Sequence, residues 1–220
     1  MQKFATPAPI TTVLDVPAGR VRLVAALRED TTVRVDPADP AKSRDVKAAS
    51  EAAVSFDDGV LRIEIAAKNQ YFGPSGAVDV TVELPAGSRV EAKSASIELR
   101  GVGRLGDVTV DGAHGEVVFD EAATLRLTTH AGDVSVGRLA GSAEITTGKG
   151  DIRIAEAASG GLVLSTQAGD ITVGAATGVS ASLDAGTTYG RIRNALKNEG
   201  TAALTIQATT SYGDIDAHSR

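Results

Sequence analysis

Carboxylates that recur directly after a glycine are the first residues in this chain whose spacing could do chemistry. Gly-Asp followed by apolar, any and apolar residues occurs at Gly106-Asp107, Gly132-Asp133, Gly150-Asp151 and Gly169-Asp170, with relatives at Gly115-Glu116, Gly190-Arg191 and Gly213-Asp214. If the units stack, Asp107, Asp133, Asp151, Asp170 and Asp214 form a column of carboxylates along one edge. Calcium takes six to eight oxygen ligands, so Asp133, Asp151 and Asp170 are the residues that would serve it. The calcium-binding rolls, however, use a nine-residue Gly-Gly-x-Gly-x-Asp repeat, which is absent here. The expectation is therefore a structural corner, in which glycine supplies an unusual backbone angle and aspartate caps the turn, with no metal and no cofactor.

A second set of polar residues sits just before the repeat glycines: His130, Lys149, Tyr189 and Tyr212. On stacked units these would share one ridge and could bind a partner. His114 and His130 on consecutive units could in principle hold zinc beside Glu116 and Asp133, but adjacent surface corners explain the same spacing. Tyr71 and Phe72, two of the seven aromatic residues, lie together in Lys68-Asn69-Gln70-Tyr71-Phe72-Gly73-Pro74-Ser75-Gly76 and form either a candidate recognition loop or a pair folded back over the core of the cap. Gly-x-Ser-x-Gly, His-Glu-x-x-His and Gly-x-x-x-x-Gly-Lys are all absent. Gly148-Lys149-Gly150-Asp151 is followed by a strand pattern instead of the helix whose N-terminus a phosphate loop needs. An enzymatic alternative, a hydrolase or lyase, would have to use paired carboxylates such as Asp151 and Asp170 in a groove.

The elements that must position these residues follow from periodicity. Before each corner lies a segment alternating with period two: 125–129, 143–147, 162–166 and 204–208. Period two marks strands with one buried face. From Gly132 the repeat glycines are spaced by 18, 19, 21 and 23 residues. Two strands and two glycine-rich corners per unit of about 18 residues describe one coil of a parallel β-solenoid. Coils stacked in chain order would bury Leu125, Leu127, Val134, Val136, Leu139, Ala143, Ile145, Ile152 and Ile154. Leu162, Leu164, Ile171, Val173, Leu183, Ile192, Leu204, Ile206 and Ile215 would continue that interior. Residues 1–88 lack the repeat and read as a β-rich cap over the first coil of a solenoid at 89–220, with strands expected at 11–16, 20–26, 31–36, 59–66 and 77–84. The only helical stretch is 37–49, with Asp39 as its cap and Pro40 at its first position.

Composition is compatible with this reading. The 220 residues include 24 Gly, no Cys and no Trp, and aromatics make up 3%. Lack of cysteine rules out disulfides and thiol nucleophiles. A net charge of −6 opposes general nucleic-acid binding, which needs a basic face. Two early prolines interrupt the start Met1-Gln2-Lys3-Phe4-Ala5-Thr6-Pro7-Ala8-Pro9, and no apolar window is long enough to span a membrane. The expected location is cytoplasmic, although an exported form trimmed of its leader would look the same.

Four features together resemble a known family: Phe4-Ala5-Thr6-Pro7-Ala8-Pro9-Ile10, Val80-Thr81-Val82-Glu83-Leu84-Pro85-Ala86-Gly87-Ser88-Arg89-Val90, the Gly-Asp repeats, and Thr209-Thr210-Ser211-Tyr212-Gly213-Asp214-Ile215. They are similar to the bacterial, particularly actinobacterial, DUF4097-like strand-repeat proteins, often labelled as candidate adhesins. The resemblance implies a β-solenoid and no particular activity. The function expected from the whole sequence is a non-catalytic scaffold or binding module acting through a protein partner or self-association.

Overall fold

A computed structural model of the chain describes residues 1–65 and 76–220. Its first half contains β1 (Gln2–Ala5), β2 (Thr11–Asp15), β3 (Ala18–Ala26), β4 (Asp30–Pro37), α1 (Ser43–Ser50), β5 (Ala53–Asp57), β6 (Val60–Glu64), β7 (Val78–Pro85) and the long bent β8 (Arg89–His114). The second half contains β9 (Val117–Ala131), β10 (Val134–Leu139), β11 (Ala143–Lys149), β12 (Ile152–Ala157), β13 (Gly160–Ala168), β14 (Ile171–Ala175), β15 (Ala181–Tyr189), β16 (Ile192–Ala195), β17 (Leu204–Tyr212) and β18 (Ile215–Ser219).

The described strands join one open, mostly parallel sheet that folds over on itself as two stacks. One stack runs β1, β4, β7, β3, β8, β9, β10, β12, β14, β18, β16; the other includes β5, β6, β2, β8, and then β9, β11, β13, β17, β15. Antiparallel pairing is confined to β1–β4, β4–β7 and β5–β6. The strands at 1–88 thus contribute parallel rungs as well, since β2 and β3 both pair with β8. Alternation accounts for the core: in β17 the pattern Leu204, Ile206, Ala208 points inward between polar outward neighbours. A single apolar cluster runs from Ile10 to Ile215 between the stacks. Short aliphatic side chains suit so thin an interior, and Phe119 is its only fully buried aromatic ring among the described residues.

Two expectations require correction. The helix begins at Ser43, not near Asp39, and its N-cap Lys42 makes no side-chain capping bond. Asp39 instead accepts a hydrogen bond from the Ala41 N–H, which forms a separate turn ahead of the helix. The coils also do not stack in chain order. The last segment, β17–β18, inserts between β13–β14 and β15–β16, so residues 181–195 form the outermost coil.

Register explains this exchange. Val173, Ala217 and Asn194 occupy the same inward column on β14, β18 and β16. With β17–β18 inside, Ala217 is buried and Asn194 is left at the exposed end. Chain order would seal the Asn194 amide into an apolar interior, at a cost of about 1–3 kcal/mol for an unpaired polar group. Ile192, expected inside, is consequently 46% exposed, and Leu183 is only partly buried.

Candidate functional site

The corner between the two stacks carries three columns of side chains. The first is glycine. Gly150 has φ +141°, and a β-carbon there would collide with the carbonyl oxygen of Gly132 one rung away. Neighbouring corners nest equally closely: Gly169 packs against Gly150, and Gly213 against Gly169. Only glycine allows both the backbone angle and this approach.

The second column is the aspartate ladder, and its carboxylates are already engaged. Asp133 Oδ1 accepts from the Asp151 N–H (2.9 Å), Asp151 Oδ1 from Asp170 N–H (2.8 Å), and Asp170 Oδ1 from Asp214 N–H (2.7 Å). Asp214 Oδ1 accepts from the Arg191 N–H at 2.9 Å, while its Oδ2 receives Arg191 Nε and Nη2 at 3.1 and 2.7 Å. The Arg191 side chain, assisted by its backbone N–H, holds the Asp214 carboxyl below the usual carboxylate range. Each aspartate thus ties one rung to the next. Among the described residues no group of three or more His, Cys, Asp or Glu side chains is arranged to hold a metal ion. His114 and His130 do approach each other, with ring centroids 6.4 Å apart and tilted planes.

The third column is the ridge predicted from sequence. Register places His114, Ala131, Lys149, Ala168, Tyr212 and Tyr189 in one line along the stack. Lys149 and the two tyrosines are therefore brought onto one ridge, with Ala168 between Lys149 and Tyr212. His130 lies one residue before this line. Tyr189 and Tyr212 lie on adjacent rungs and stack with centroids 5.0 Å apart and planes within 9°, and the exchanged order leaves Tyr189 outermost. They remain 64% and 61% exposed. Tyr71 and Phe72 fall outside the described residues.

Sequence reasoning missed a further column. Thr147, Thr166, Thr187 and Thr210 each stand three residues before a repeat glycine. Thr166 Oγ1 donates to the Gly150 carbonyl (3.1 Å), Thr210 to Gly169 (3.0 Å), and Thr187 to Gly213 (3.0 Å), whereas Thr147 donates within its own strand to the Lys149 carbonyl (3.3 Å). The recurrence of Thr-x-x-Gly was the available signal. These hydroxyls satisfy corner carbonyls where the core meets solvent and leave no reactive group over.

Surface depressions lie on outward strand faces. One of about 440 Å³ includes Arg89, Asp107, Thr124, Arg126, Ser142 and Glu144; another of about 370 Å³ includes Val163, Leu183, Asp184 and Gln207. Neither includes Asp151, Asp170, Tyr189 or Tyr212. No helix among the described residues is long and apolar enough to cross a membrane.

The geometry has parallels among known structures. A candidate adhesin from Bacteroides fragilis is 16% identical, with 98% of this chain and 95% of that chain covered at a TM-score of 0.59. A candidate cell-adhesion protein from Clostridium sporogenes is 12% identical over 100% of this chain and 98% of that one, at a TM-score of 0.44. The first likeness establishes a shared β-solenoid-like fold and nothing of activity. No curated protein matches the chain. The Toastrack DUF4097 family profile matches residues 13–220, which covers the repeat corners, the exchanged coils and the tyrosine ridge. With nearly the whole chain matched and the fold in agreement, this protein belongs to the Toastrack DUF4097 family.

Proposed function

We propose that the chain is a non-catalytic binding module, a stack of coils of about 18 residues whose outermost corner docks a protein partner. The observation that carries this reading is the stacked Tyr189–Tyr212 pair, held rigidly by strand register yet largely open to solvent. Tyrosine offers a large amphipathic contact area at low entropic cost, and such residues dominate interface energetics. β15 and β16 also form the outermost rungs; the Ala181 N–H at the start of β15 donates to the Lys197 carbonyl, and the part of β15 toward Tyr189 has no strand partner on its outer edge among the described residues. An extended segment of the partner can add to this part of β15, apart from Arg191 and Asn194 on the β16 side that oppose pairing there, while its side chains meet the tyrosines. Lys149 and His130 line the approach along the same corner. The carboxylates a hydrolase would need are spent on backbone amides and on Arg191, which favours binding over catalysis.

The test is affinity capture from the source cell with wild-type protein and with Tyr189→Ser/Tyr212→Ser, followed by direct binding of the identified partner to both purified forms. The variant should lose at least tenfold in affinity, since a central tyrosine anchor contributes about 2 kcal/mol. Equal affinity of the two forms would rule out the ridge as the contact. Self-association is the competing outcome, and concentration-dependent mass in light scattering that disappears in the variant would replace the partner by a second copy.

A further inference from the structure

A second feature lies on the outward face of the other stack, away from the tyrosine ridge. Register places Arg22 on β3 directly opposite Arg100 on β8, with Thr81 of β7 on the other side of Arg22. Neighbouring strands of a sheet lie about 4.8 Å apart, so like charges level with each other on these two parallel strands repel. The adjoining column is composed differently: Arg20 makes a two-point ion pair with Asp79 and lies beside Glu98. Arg22 and Arg100 are exposed and have neither an ion-pair nor a hydrogen-bond partner among the described residues. Together with Arg20, Asp79, Thr81 and Glu98 they line a depression of about 390 Å³.

An unpaired arginine couple stands out in a chain of net charge −6. Each guanidinium presents a planar fork of N–H donors that matches oxyanions in two-point geometry. We propose that Arg22 and Arg100 form a binding site for a phosphate-class oxyanion, with the Thr81 hydroxyl as an additional donor. Two forks and a hydroxyl suit a group with three terminal oxygens and nearly two negative charges. A single carboxylate would leave one guanidinium uncompensated. Arg20 offsets the flanking Asp79 and Glu98, which would otherwise repel the ligand.

The probes are inorganic phosphate and phenyl phosphate, titrated at constant ionic strength into ¹⁵N-labelled protein while the arginine Nε–H signals are followed, with sodium acetate as the comparison anion. Saturable shifts confined to Arg22 and Arg100 are expected with either phosphate. A tenfold preference for phenyl phosphate would assign the site to esters, and equal affinity would assign it to the free ion. Arg22→Gln or Arg100→Gln should weaken binding at least tenfold. Arg153→Gln should not, because Arg153 lies in the same column between Ser135 and Thr172, with no cationic neighbour. Without phosphate, Arg22→Gln should melt at or above the wild-type temperature, because it removes a repulsion. In phosphate it should lack the wild-type's gain. Linear, unsaturable shifts, an equal response to acetate, or unchanged affinity in the double variant would each overturn the proposal.

Discussion

At the scale of single residues, the corner glycines are the most demanding positions. Gly150 combines a left-handed backbone angle with a close approach to the Gly132 carbonyl, so any side chain must either strain the turn or separate two rungs. Gly150→Ala should therefore destabilise the protein by about 2–3 kcal/mol in urea unfolding, at the upper end of what a strained backbone position costs. A loss below about 0.5 kcal/mol would show that the corner can relax. Gly178 is a useful contrast, because it also has positive φ but no atom lies where its β-carbon would go. Gly178→Ala should cost less. The Gly-Asp dipeptide was readable from the sequence as a turn. What escaped notice was that the aspartate side chain reaches forward to the next rung, since that bond links residues 18 to 44 positions apart.

At the scale of elements, the outer coil shows how the stack stops. At four successive corners Asp133, Asp151, Asp170 and Asp214 each offer an oxygen to the amide of the neighbouring rung. The outermost corner has Arg191, which has no acceptor to offer and turns back onto Asp214. Asn194 adds a polar group at a position that is apolar in the rungs beneath. Exposed strand edges invite pairing with other chains, and charged or polar residues at such edges oppose it. Arg191→Asp combined with Asn194→Val should restore the ladder acceptor and the apolar column, and so raise the apparent mass in light scattering above that of the wild type at equal concentration. An unchanged mass would mean that other features close this end. Strands were legible from period-two alternation almost throughout, but β1, β5 and the part of β8 before Gly106 were not anticipated. β1 and β5 are short edge strands that bury little, so alternation left a weak trace.

At the scale of the whole molecule, one continuous core links all rungs, and several ion pairs tie the antiparallel strands near the N-terminus to it. Asp30 of β4 is held down to about 2, chiefly by Arg28 and then by Lys3 of β1, at 2.8 Å each. Arg28 also binds Glu83 of β7 and, with Thr32, lowers that carboxyl. A carboxyl whose folded value lies below its unfolded one stabilises the fold fully above the ordinary range near 4 and loses that contribution as the pH falls through the folded value. Stability should therefore be insensitive to these groups above about pH 5 and decline between about pH 4 and 2. Asp30→Asn should flatten that decline in circular-dichroism melts across the range. An unaltered acid profile would show that the pairs contribute nothing.

The amino-acid order alone determined what is local or periodic: the all-β class, the repeat unit, the turn chemistry at Gly-Asp and most of the buried aliphatic positions. These depend on alternation and on backbone angles that a short segment carries by itself. Tertiary structure decided which coil lies beside which. β15 and β17 carry nearly interchangeable patterns, and their places are set by whether Asn194 or Ala217 meets the apolar interior. That competition between distant segments also decides which tyrosine ends the column: consecutive coils bring Tyr189 and Tyr212 together in either order, but with the last coil inside, Tyr212 lies beside Ala168 and Tyr189 is outermost.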